Sequence, residues 1–238
     1  MLLLDKLVEQ LEFTVRPFAL CRIGAGQRLS LGSREQSTVH YVLAGDGELV
    51  FAGLAPYALR RGTIVIAPPG VTQDVRGSGE PSWSLEALQQ CVPPKIGIDA
   101  LEKPGKQSPG GIAMLCGSVD ATYQHLNSVF DHLPAPIVEH TAEGDVIWRV
   151  FENIVRELAE PRPGSIAMLR ALFQQCFIEI LRNHFAGGRS EFPWLGALRD
   201  SRLGKAVEKI LDDPGRPHTL ESLAQSCNMS RTTFAKRF

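Results

Sequence analysis

The spacing of apolar residues changes once along this chain, near Asp120, and that change dictates two kinds of secondary structure in a fixed order. From about residue 15 to residue 90, short β-rich runs are broken by glycine turns: FALCRI, then TVHYVLAGDGELVFA, then GTIVIAPPG. Strands of this length and spacing build a sandwich or a barrel. Within YVLAGDGELVF, Gly45, Asp46 and Gly47 tolerate positive φ, so the sequence predicts a tight hairpin turn there. The stretch 92–111, VPPKIGIDALEKPGKQSPGG, holds too many prolines, glycines and charges for a regular element and reads as a long loop. One more strand, IAMLCGSV, follows it.

Beyond Asp120 the period becomes about 3.6. Behind a capping Asp145, Val146, Ile147, Val150, Phe151, Ile154, Val155 and Leu158 form one apolar stripe, which predicts a helix over 145–159. A second helix is expected over 165–185, with Ile166, Leu169, Leu172, Phe173, Cys176, Phe177, Ile180, Leu181 and Phe185 covering more than half its circumference. A helix so apolar needs two partners. One is the β-domain; the other is a second subunit or the remainder of the same chain. Gly187, Gly188, Arg189 and Ser190 then read as a linker.

At 238 residues the chain suits two cores, and 44% apolar against 21% charged residues with a net charge of −1 excludes a disordered chain. Asp5, Lys6 and Glu9 interrupt the apolar N-terminus before a membrane span or signal core forms, so a cytoplasmic protein is expected. Five cysteines, Cys21, Cys91, Cys116, Cys176 and Cys227, are widely spaced without a CxxC pair. They argue against a disulfide scaffold or structural zinc and read as reduced thiols. Charge is uneven: from Arg199 onward the net charge is +3, against −4 for everything before it. Such asymmetry marks an appended nucleic-acid module.

The segment HTLESLAQSCNMSRTTFAKRF supplies that module. Thr219 is an N-cap, Glu221 suits the first turn, and Leu220, Leu223 and Ala224 are expected to face inward. Asn228 tolerates the left-handed conformation of a sharp turn, and Ser230 caps a second helix whose Phe234 and Phe238 are expected to pack back on the first. Opposite them lie Arg231, Thr232, Ala235 and Lys236, short polar, small and cationic groups suited to a major groove. Residues 202–238 resemble the first helix-turn-helix of the AraC/XylS family of bacterial transcription regulators. The resemblance implies that 230–238 is the recognition helix, with Thr232 and Lys236 reading bases and Arg231 and Arg237 nearer the backbone. Members carry two such motifs, so the sequence is expected to continue beyond Phe238 with a second one.

The N-terminal half resembles the cupin jelly roll that many of these regulators carry as a sensor, with AMLCGSV and PRPG among the matching stretches. Cupin enzymes hold a metal through two patterns. In the first, Thr38 stands where histidine is expected, His40 fills the second histidine position, and Ala44 or Gly45 stands in place of glutamate. In the second, Gly62, Pro68 and Gly70 keep the turn framework while Gln73 replaces histidine. One ligand cannot hold a catalytic metal that needs three, so neither metal, cofactor nor catalytic residue is expected. His40 and Gln73 are instead candidates for binding a polar effector. Cys21 beside Arg22 and Cys91 near Lys95 are candidates for a redox pair, because a nearby cation raises the thiolate fraction.

The expected fold class is α+β: a cupin-like jelly roll over 1–120, a helical connector with a dimerisation role over 121–190, and a partial helix-turn-helix domain over 191–238. The expected function is a DNA-binding transcription regulator acting as a homodimer on double-stranded DNA, with a small molecule or oxidant as signal, RNA polymerase as a further partner, and no membrane. The competing readings are a cupin-fold enzyme and a small-ligand-binding protein with an incidental helical tail.

Overall fold

The computed structural model describes residues 3–16, 18–79, 83–86, 91–92, 110–123, 128–131, 133–187 and 192–238. The loop expected over 92–111 and the linker after Gly187 fall almost wholly outside the described residues. A short helix α1 (Leu3–Glu9) precedes the strands β1 (Leu11–Val15), β2 (Ala19–Ile23), β3 (Gln27–Leu31), β4 (Thr38–Phe51), β5 (Tyr57–Arg60) and β6 (Thr63–Ala67). The β-region continues with β7 (Gln73–Gly77), β8 (Trp83–Glu86), β9 (Cys91–Val92), β10 (Ile112–Tyr123) and β11 (Ile137–His140). Two long helices follow, α2 (Val146–Ala159) and α3 (Ser165–Gly187), and then four short ones: α4 (Pro193–Arg199), α5 (Leu203–Asp212), α6 (Leu220–Ser226) and α7 (Arg231–Arg237).

The expected hairpin at Gly45, Asp46 and Gly47 does not form. Instead β4 runs unbroken for 14 residues through the triplet. Its first half pairs with β6 and β10, its second half with β5 and β7, and a register shift opposite Ala113 and Met114 marks the changeover. Apolar residues on both sides of the glycines already have neighbours on other strands, so the triplet bends a continuous strand around a barrel corner rather than reversing it. Gly45 takes a φ of 78° at this corner. A Cβ on Gly47 would stand 2.2 Å from the Arg76 carbonyl oxygen, so the close approach of β7 there requires glycine.

Alternation along the strands divides the apolar residues between two cores. One set, including Leu29, Val42, Leu49, Phe51, Val65, Val75 and Met114, fills the barrel interior. The other, including Phe13, Val39, Tyr41, Leu115 and Val119, faces outward beneath α2 and α3. The α2 stripe buries Ile147, Val150, Phe151, Ile154, Val155 and Leu158 as its spacing requires, together with Trp148, while Val146 is exposed. Asp145 occupies the N-cap position, but its carboxylate accepts from the Ala142 amide and caps no helical amide.

Aromatic contacts fix α2 and α3 on the barrel. Tyr41 stacks on Phe151 with centroids 3.8 Å apart, and Phe173 and Phe177 meet Phe18 and Phe13 at 5.2 and 5.5 Å. Such pairs add about 1 kcal/mol each beyond the area they bury. The apolar girdle expected around α3 is covered on one side, by the barrel and α2. Ile166, Met168 and Phe185 remain exposed. A third, smaller core joins Leu203, Ala206, Leu223, Ala224, Cys227 and Phe234 in the C-terminal helices.

Candidate functional site

The two C-terminal helices meet through local chemistry that the sequence spells out. Thr219 caps α6 in a capping box, its hydroxyl accepting from the Ser222 amide while Ser222 Oγ accepts from the Thr219 amide. Asn228 turns the chain with a φ of 53°. Ser230 caps α7 by accepting from the Thr233 amide at 3.2 Å.

Phe234 is fully buried against Leu223, Ala224 and Cys227, which holds α7 across α6. Two expected inward residues stay outside. Leu220 is 38% exposed because it opens the first turn, and Phe238 is 53% exposed, stacked on Phe234 at 4.9 Å rather than inserted beneath α6. With Phe234 pointing in, Arg231, Thr232, Ala235 and Lys236 all stand in solvent on the opposite surface. Arg237 turns away from that row toward Asp200, its guanidinium nitrogen 3.7 Å from the carboxylate, while the Arg202 guanidinium lies 3.9 Å from the other oxygen of Asp200. Spacing could not reveal this contact, because Asp200 lies on the preceding helical corner.

Inside the barrel, β4 and β7 bring Thr38, His40 and Gln73 together. His40 Nε2 lies 2.8 Å from Gln73 Oε1, and Gln73 Nε2 donates to Thr38 Oγ1 at 2.8 Å. His40 and Gln73 are each 1% exposed. Burial lowers the His40 pKa to about 4, with the Gln73 contact working the other way, so the ring is neutral at neutral pH. Its Nδ1 has no hydrogen-bond partner among the described residues.

By the resemblance to cupin enzymes these are three of the four metal-binding positions, and the side chains present do not fit a metal. A hydroxyl and a carboxamide replace two imidazoles, and the remaining imidazole spends Nε2 on the carboxamide. No cluster of three potential metal-binding side chains occurs among the described residues.

Cys21 lies on the barrel-interior face of β2 and is disulfide-bonded, which corrects the reading of all five cysteines as reduced thiols. The backbone explains how a disulfide reaches this place. Strand β9 pairs antiparallel with β2 and sets Cys91 directly opposite Cys21. Opposed residues in such a pair stand about 4.5–5.5 Å apart at Cα, within the range a disulfide spans. Cys21 and Cys91 are 70 residues apart in sequence, and their facing register on the backbone came only from the fold. Cys116, Cys176 and Cys227 are free, and burial pushes the Cys116 thiol up to about 12.

The cupin family model matches residues 3–186. The HTH-type transcriptional regulator AlkR of Acinetobacter baylyi is 36% identical over 84% of this chain and 66% of its own length. The HTH-type transcriptional regulator MtrA of Neisseria gonorrhoeae is 25% identical over 99% of this chain and 77% of its own. The RCS-specific HTH-type transcriptional activator RclR of Escherichia coli is 23% identical over 92% and 68%. The chain belongs to the cupin family, and over most of its length it is similar to helix-turn-helix transcription regulators of the AraC type.

Proposed function

We propose that this protein regulates transcription by binding double-stranded DNA through α7 and that its barrel senses the signal. The observation that carries this is the division of α7 into a buried Phe234 and an exposed row of Arg231, Thr232, Ala235 and Lys236. That row matches the side chains a major groove accepts, with Thr232 and Lys236 reaching base edges and Arg231 the phosphates. Arg237 supports the reader from behind through Asp200.

Signal and response are linked by differential affinity: an effector that prefers one arrangement of barrel and α3 shifts the population able to seat α7. His40 and Gln73 are its contacts in the barrel. The protein works without enzymatic chemistry, as a cytoplasmic homodimer, and its target at the promoter brings it beside RNA polymerase. The exposed Ile166 and Met168 on α3 support the dimeric reading. The division into a sensor over 1–120, a connector over 121–190 and a reader over 191–238 follows from the same scheme.

The test is the salt dependence of affinity for duplexes selected from a random pool. Each cation on the phosphates contributes close to one unit of the log–log slope. Lys236→Ala and Thr232→Ala should weaken selected duplexes and relax their sequence preference by about 1–3 kcal/mol. Affinity that ignores salt and sequence would defeat the proposal.

A second signal, an oxidant, is favoured by the disulfide of Cys21 on the interior face of the barrel wall. The relative named RCS-specific gives this reading further support. Comparing DNA affinity of the native protein and Cys21→Ser with and without a dithiol reductant tests it. A reductant effect that persists in Cys21→Ser would remove the oxidant reading.

A further inference from the structure

The polar cluster in the barrel leaves one hydrogen-bonding valence open, and its surroundings specify what can fill it. Because Gln73 Nε2 donates to Thr38, Gln73 Oε1 faces His40 and takes the proton on Nε2. His40 is thereby held as a neutral ring whose Nδ1 is a lone-pair acceptor. That nitrogen is buried and unpartnered among the described residues, at a cost an incoming donor would relieve.

The barrel interior holds Ile23, Leu29, Val42, Val65, Val75 and other apolar side chains, and among the described residues the buried carboxylate, that of Glu157, lies on α2 rather than in the barrel. A charged ligand would lose its hydration there and gain no counterion. Cys116 and Ser118, which stand directly opposite His40 and Thr38 on β10, are partly exposed.

We propose that the barrel takes an uncharged, mainly apolar molecule bearing a hydroxyl, an alcohol or a phenol, which donates its hydrogen bond to His40 Nδ1. The proposal rests on the effector reading above and names the ligand class for that site. A cupin metal centre would bind anionic oxygen; the residues present offer instead a single neutral acceptor beside apolar side chains.

The test titrates the full chain with four probes of one length, 1-octanol, octanoate, octylamine and octane, with histidines labelled by nitrogen-15. Octanol should bind and shift the His40 Nδ1 resonance upfield, with octane about tenfold weaker and the two ions weaker still. His40→Phe should bring octanol down to the affinity of octane. The resonance of the native protein answers the question even where that variant does not fold.

Octanoate binding as tightly as octanol would overturn the proposal, since it requires the other tautomer with Nδ1 as donor. An octanol complex with an unshifted Nδ1, or no binding by any probe, would overturn it too. DNA affinity measured on the same sample separates the two readings. Salt-dependent DNA binding without octanol binding leaves the regulator standing, whereas octanol binding without DNA affinity defeats the regulator instead.

Discussion

Lowering the pH from 7 to 5 should cost the folded protein about 2 kcal/mol through His40 alone. The ring titrates near the ordinary histidine value of 6.5 in the unfolded chain and near 4 in the folded one, because burial penalises the cation. Between those values the unfolded state binds the extra proton, so stability is complete above pH 6.5 and falls as pH drops toward 4. Two and a half pKa units cap the loss at about 3.4 kcal/mol, of which pH 5 realises a little over half. Urea unfolding of the native protein and of His40→Gln, each at pH 7 and pH 5, isolates the effect. Asp74 and His140, whose pKa values are also lowered in the fold, contribute equally to both proteins and cancel. The stability difference between the two proteins should change by about 2 kcal/mol in favour of the variant on acidification. Parallel pH dependence, or a His40 ring proton titrating near 6.5, would refute the reasoning and open the barrel interior to water.

Phe234→Ala should destabilise the C-terminal core by about 3–5 kcal/mol and abolish DNA binding, seen as an early calorimetric transition with the barrel intact. Asn228→Val should cost about 1–2 kcal/mol because a β-branched residue resists the left-handed turn, while Asn228→Gly should be nearly neutral in thermal melting. Lys6→Gln removes the ammonium that lies 2.9 and 3.0 Å from Glu208 and Asp212, and hydrogen exchange in α5 should rise with little change in global melting. The same rise should follow addition of about 1 M salt to the native protein, where screening reaches within a few ångströms.

Periodicity made the helices legible: the α2 and α3 stripes needed only their own residues, and the caps at Thr219 and Ser230 needed only their neighbours. Signals that depend on distant partners failed. Glycine with positive φ is compatible with a hairpin and with a barrel corner, and only the partners of Leu49 and Val42 on β7 and β10 decide between them. Phe238 repeats Phe234 at helical spacing, yet α6 has room for one ring and the second stays half exposed. The cluster of Thr38, His40 and Gln73 was legible by resemblance, since these residues stand where the cupin pattern has metal ligands. The chain of hydrogen bonds these three form, which leaves His40 Nδ1 without a partner among the described residues, required coordinates. The contact of Arg237 with Asp200 and that of Lys6 with α5 join residues remote in sequence, and charge patterning along one helix carries no trace of them.

Those remote contacts link the barrel to the C-terminal helices. Phe177 and Cys176 of α3 pack in the core beneath the sheet, and two turns further on His184 Nε2 lies 2.9 Å from Glu139 of β11. The carbonyl of the same His184 accepts from the Arg199 guanidinium, and its ring meets Phe192 at 5.3 Å, so α3 grips the entrance to the C-terminal helices by both its side chain and its backbone. Lys6 of α1 holds α5 from a second direction, and β1 follows α1 directly into its pairing with β10, the strand that faces His40. Two routes therefore leave the barrel wall, one through β11 and α3, the other through β10, β1 and α1, and they converge on the helices whose next corner, Asp200, holds Arg237. An effector that moved one route alone would work against the other. In the proposed scheme a signal is transmitted when both move together, and substitutions at Lys6 and at Glu139 should accordingly couple non-additively in effector-dependent DNA affinity.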